Sequence, residues 1–138
     1  MTLFIFSLHS FPRLCTSLVA LSRSRIIRDD PMPEQKKTRR QMLEEFVAQK
    51  PDDAFSRYGL AMECMNSGDA AAADLHFRAL LNHNADYIPA YLMYGQLLAR
   101  EARPAEAKQV LSNGIAAAAR KGDQHARSEM EALLTDLG

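Results

Sequence analysis

Small side chains recur at an offset of 34 residues in this chain, and each is followed four residues later by a bulky one. Ala73 and Phe77 match Ala107 and Leu111. Upstream, the pair Leu60-Ala61 matches Tyr94-Gly95, Cys64 matches Leu98, and Leu81 matches Ile115. The match is of size class, not of letter. Such a pattern constrains the fold because two antiparallel helices approach closely only where their contact points lack bulk. Ala61 or Gly95 on one helix and Ala73 or Ala107 on the next supply that gap, and Phe77 or Leu111 fills the space beside it. Helix propensity alone explains the run Ala70-Ala71-Ala72 in "SGDAAAADLHFRALL", but not the recurrence at Ala107.

The segments around these positions read as six helices. Pro33 and Glu34 suit a first helical turn. Met42, Leu43, Phe46 and Val47 then form one apolar stripe, and Pro51 ends the helix. Asp52 or Asp53 caps a second helix carrying Phe55, Tyr58, Leu60, Met62, Cys64 and Met65, which stops before Gly68. Asp69 caps a third, expected to reach about residue 82 with its apolar residues at Leu75, Phe77, Leu80 and Leu81, and "NHNAD" is read as loop. The spacing predicts a fourth helix over 88–101 and a fifth over 104–121, with Gly122 suited to a left-handed C-terminal cap. Asp123 caps a sixth, whose stripe is Ala126, Met130, Leu133, Leu134 and Leu137. Short connections make consecutive helices antiparallel neighbours. The expected class is all-α, built from antiparallel helix pairs.

The 34-residue period is that of the helix–turn–helix unit with the pattern W-x2-L-G-x2-Y, then A-x3-F, then P. Leu60-Ala61-x2-Cys64 with Ala73-x3-Phe77 fits it, as does Tyr91-x2-Tyr94-Gly95-x2-Leu98 with Ala107-x3-Leu111. The chain resembles the tetratricopeptide repeat (TPR) family over two full repeats, residues 55–88 and 89–122. Residues 123–137 resemble the polar-faced helix that caps an open stack. The first helix resembles the second half of a degenerate repeat, with Leu43 and Pro51 correctly spaced but Arg39 in place of the small residue. Two further departures are Arg57 where a leading aromatic belongs, and Ala85 and Ala119 where proline belongs.

The resemblance implies that the helix pairs form a right-handed superhelical stack. It also implies a protein-interaction module, an adaptor or assembly factor, whose first helices line a concave groove for a peptide or a helix. Carried over, the groove residues are Phe55, Tyr58, Met62, Met65 and Asn66, then Leu92, Met93, Gln96 and Arg100. Methionine-rich surfaces suit adaptable binding, although such a stripe is equally what a core shows. Family members that clamp the carboxylate of chaperone tails use Lys, Asn and Arg here. The matching places hold Tyr58, Met62, Pro89 and Met93, so an apolar or amphipathic helix is the expected ligand. The alternative is a self-associating structural unit with no separate ligand, a homo-oligomer, because two and a half repeats fall short of the roughly three a stable stack needs.

Other classes find little support. The chain balances 17 basic against 17 acidic residues, which argues against a nucleic-acid binder, and "KKTRR" (36–40) reads as a solvated helix start. Cys15 and Cys64 have neither disulfide-framework nor metal spacing. His9, His76, His83 and His125 read as solvated surface residues; His76 and His83 share a helix face without a third ligand. No phosphate loop or nucleophile elbow is present, and Asp52-Asp53 and Glu44-Glu45 read as caps and solvated faces. The expectation is therefore no enzyme, no cofactor and no metal.

Residues 1–31 differ from the rest. All 17 acidic residues lie from Asp29 onward, while residues 1–28 hold four arginines and five serines. Pro12 and Arg13 cut the apolar run "TLFIFSL" far below the ~20 residues needed to span a membrane. Three readings stay open: a start upstream of a true one at Met32, a targeting peptide with "Ala20-Leu21-Ser22" as its cleavage pattern, or a structural role. On each, these residues form an extension outside a helical domain at 32–138. The expected location is cytoplasmic, or exported or organellar if residues 1–22 act in targeting.

Overall fold

The computed structural model describes residues 36–138. Six α-helices succeed one another there: α1 (Arg39–Gln49), α2 (Ala54–Asn66), α3 (Ala70–His83), α4 (Ile88–Arg100), α5 (Pro104–Lys121) and α6 (Gln124–Asp136). The starts of α2 and α4, and of α3 and α5, are 34 residues apart, which repeats the sequence offset in space. Each helix packs chiefly on its neighbours in the chain, α2 on α3, α4 on α5 and α5 on α6. The fold is an all-α helical repeat.

Local chemistry sets the boundaries. Asp53, Asp69 and Asp123 accept hydrogen bonds from the backbone N–H of Ser56, Ala72 and Ala126, each closing the first turn of its helix. Three turns end the same way. The N–H of Asp69, Arg103 and Asp123 reaches back to the carbonyl of Cys64, Leu98 and Ala118, five residues earlier. The residue before each donor is left-handed: Gly68 at φ 81°, Ala102 at φ 55° and Gly122 at φ 73°. Alanine at the middle position is strained where the other two turns have glycine.

Three expectations need correction. The first helix does not run on from Pro33, which lies outside the described residues; α1 opens at Arg39. There Thr38 and Gln41 form a reciprocal capping box, so part of "KKTRR" is the cap itself. The third helix takes in Asn82 and His83 and ends at Asn84. Within the expected stripes, Met42 and Phe46 on α1 and Leu75 on α3 are exposed. In α1 only Leu43 and Val47 pack inward, against the α2–α3 core.

The core forms two adjoining clusters. In the first, Leu60, Ala61, Cys64, Ala73, Phe77 and Leu80 meet Ala90, Tyr94, Leu97, Leu98 and Ala107. In the second, Ile88, Tyr91, Leu111, Ala117 and Ala118 meet Met130 of α6. Ala73, Phe77, Ala107 and Leu111 are wholly buried, as the small-then-bulky pattern requires. Two glycines mark the closest approaches. A Cβ on Gly95 would stand 2.6 Å from Leu111 Cδ2, and one on Gly114 would stand 2.5 Å from both Tyr91 Cβ and Met130 Sδ.

Candidate binding surface

The stripe along α2 and α4 is neither all core nor all surface. Phe55 is 76% exposed, and Asn66 and Arg100 are exposed with it. Tyr58, Met62, Met65, Leu92, Met93 and Gln96 are half-buried. Tyr58, Met62, Met65 and Met93 pack against the first cluster, and Leu92 against the second. These side chains therefore form the outer layer of the core and present their far sides to solvent.

Tyr58 shows how that layer is held. Its ring meets Phe77 edge-on, with centroids 6.4 Å apart, and lies tilted against Tyr87 at 5.2 Å. Phe77 in turn stacks on Tyr94 at 5.5 Å, so an aromatic chain ties α2, α3 and α4 together. Burial, with Tyr87 beside it, raises the Tyr58 phenol above its ordinary value. No buried side-chain polar atom lacks a hydrogen-bond partner among the described residues. The side chain is thus packed on the core yet only half-buried, an amphipathic arrangement suited to a contact surface.

A polar network missed by the sequence reading braces the junction of the two helix pairs. The Tyr94 hydroxyl donates to Asp74 Oδ1 at 2.7 Å and accepts from Arg78 Nε at 2.9 Å. Arg103 Nη1 reaches the same Asp74 oxygen at 3.1 Å and pairs with Glu106 through Nε and Nη2. Burial, and then the bond to Asp74, push the Tyr94 phenol up to about 12. Next to this network Ala70, Ala71, Asp74, Leu75, Leu97, Glu101 and Arg103 line a cleft of about 370 Å³. Only the local spacings, Asp74 with Arg78 at i, i+4 and Arg103 with Glu106 at i, i+3, could have signalled this network; its other links join residues far apart in sequence.

Other sequence candidates resolve into structure. Arg40 bonds Glu44 at 2.9 Å and Asp69 at 3.0 Å, fastening α1 to the start of α3. The N–H of Ala72, together with Arg40, holds the Asp69 carboxyl below its usual range. His76 is half-buried, not solvated: burial lowers its pKa, and the nearby Arg57 and Arg40 charges add to that. His83 and His125 are exposed, as expected. Cys64 is fully buried, and burial pushes its thiol up, as for an inert core residue. Among the described residues no group of three His, Cys, Asp or Glu side chains is placed to hold a metal ion. No described helix is long and apolar enough to cross a membrane.

This geometry, paired helices with a small-residue contact repeating every 34 residues, defines a helical-repeat scaffold. No family model matches the chain. The TPR repeat-containing protein PA0015 of Pseudomonas aeruginosa is 30% identical over 95 residues, covering 69% of this chain and 90% of that protein. Solved structures agree. The solution structure of protein BPP2914 from Bordetella parapertussis has a TM-score of 0.64 at 30% identity, covering 73% of this chain and 88% of that one. The solution structure of a tetratricopeptide repeat domain protein from Salinibacter ruber has a TM-score of 0.60 at 31% identity, covering 64% and 89%. The chain belongs to the tetratricopeptide repeat family.

Proposed function

We propose that this chain is a non-catalytic protein-interaction module that holds an apolar or amphipathic helical segment of a partner against the α2–α4 stripe. The observation that carries the reading is the half-buried layer of Tyr58, Met62, Met65, Leu92 and Met93 beside an exposed Phe55. Flexible thioethers and an aromatic ring anchored on the core give an adaptable apolar surface already in place before binding. Gln96, Asn66 and Arg100 supply polar contacts at its edges.

Tyr58 and Met93 are poor probes because both also support the core. Phe55 is the better one, since its removal leaves no cavity. Phe55→Ser with Arg100→Ala should leave the melting temperature within about 2 °C, because exposed substitutions typically cost within ~0.5 kcal/mol. The same variant should release the protein that co-purifies with the tagged wild-type chain. Retention of that protein by a stably folded variant would place binding elsewhere. Self-association is the second reading, and the observation that favours it is the exposed pair Met42 and Phe46 on α1.

A further inference from the structure

The two ends of the described helical stack differ in chemistry. At the C-terminal end, α6 turns Met130 inward and leaves Gln124, His125, Ser128, Glu129, Glu131, Thr135 and Asp136 exposed. That face is polar, as the outer face of a terminal capping helix is. At the other end no α1 residue is fully buried. Its outer side carries Met42 at 44% and Phe46 at 58% exposure. These two, with Glu45 and Gln49, line a shallow depression of about 170 Å³. This apolar stripe on the first helix of the described stack has no cap among the described residues.

Resting on the self-association reading, we infer that the outer face of α1 joins two copies of this chain across a two-fold axis, with the two α1 helices antiparallel. The stripe is complementary to itself in that arrangement. An axis at Met42 sets Met42 against Met42 of the second copy, lays Phe46 over Thr38 of that copy at the edge of the contact, and places Arg39 level with Glu45. The axis repeats that Arg39–Glu45 pair. The Arg39 side chain is 76% exposed with one long contact of 3.7 Å to Glu63, and Glu45, 51% exposed and paired with Lys37 at 2.7 Å, meets the incoming Arg39 on its solvent side. A parallel arrangement would set Arg39 against Arg39. Because the α6 end offers no matching apolar face, head-to-tail growth has no seat, and the assembly closes at two chains. Pairing α1 with a second α1 also extends each short array past the roughly three repeats at which stacking becomes self-sufficient.

The test is sedimentation equilibrium of the full chain across a wide concentration range. A reversible dimer is expected. Phe46→Lys with Met42→Lys should raise its dissociation constant at least tenfold while far-UV circular dichroism stays unchanged. Arg39→Glu and Glu45→Arg should each weaken the dimer several-fold, and the double reversal should restore it. A dimer indifferent to all of these overturns the α1 interface but leaves self-association standing. A monomer at every concentration overturns both. A monomer that loses thermal stability on Phe46→Lys overturns the proposal in a third way, showing that the face is covered within one chain.

Discussion

The helix pairs α2–α3 and α4–α5 solve one packing problem with different side chains. In the first, Ala61 and Ala73 give the close approach and Phe77 fills the adjoining space, all fully buried. In the second, the approach is closer: Gly95 lies where a Cβ would strike Leu111, and Gly114 where it would strike Tyr91 and Met130. Bulk lost from one side of the contact is regained on the other, so Leu60 and Phe77 become Tyr94 and Leu111. What repeats is the summed size across the interface, not any residue. The turns differ in the same spirit: Gly68 meets the left-handed requirement without strain, and Ala102 meets it with strain.

The comparison can be broken most forcefully at its largest side chain. Phe77→Ala should cost about 3–5 kcal/mol in urea unfolding, as removal of a fully buried aromatic does. Leu75→Ala, two residues away but 68% exposed, should cost little. Similar costs at the two positions would mean the α3 register is wrong. Next in size is overpacking. Ala73→Leu and Gly114→Ala should each cost roughly 1–3 kcal/mol, while Ala71→Leu, on the exposed side of the same alanine run, should stay within about 0.5. Gly95→Ala should cost less than Gly114→Ala, because the Leu111 side chain can shift whereas Tyr91 Cβ is fixed to its backbone.

Smaller effects sharpen the contrast between the turns. Gly68→Ala should destabilise by about 1 kcal/mol, and Ala102→Gly should return a similar amount through relief of the left-handed strain. Melting curves of the two variants should move in opposite directions. The last effect appears only at high pH. The Tyr94 phenol is raised to about 12 in the folded chain, above the ordinary ~10 of an unfolded tyrosine. Its contribution is fully present below about pH 10 and is lost as pH rises toward 12. Tyr94→Phe should flatten that part of the stability–pH curve, and an unchanged curve would remove Tyr94 from the network.

Sequence alone carried the starts of α2 to α6 and the contact register, because aspartate caps, prolines and the 34-residue size pattern are local signals. It failed where the answer depended on what lay across a gap. Met42, Phe46 and Leu75 have the right hydrophobicity and spacing for a stripe, yet no described neighbour covers them. His76 read as solvated because its surroundings come from α1 and α2. The importance of Gly114 was hidden because it lies in an alanine-rich helix where a small residue looks like propensity. On the candidate surface the nine residues were legible as a stripe. The half-burial of six of them was not, because a residue that is both outer core and surface has no pattern of its own.

The central functional claim is that the first helices of the two pairs, and not the second, present the partner-binding surface. Phe55 on α2 and Leu75 on α3 make a matched test, since each is a large apolar residue left exposed by its helix, at 76% and 68%. A photo-crosslinking side chain placed at one position or the other in the full chain reads the contact directly. The proposed surface expects the co-purifying partner to be captured in high yield from position 55 and at background level from position 75. Capture from position 75 with none from position 55 would contradict it.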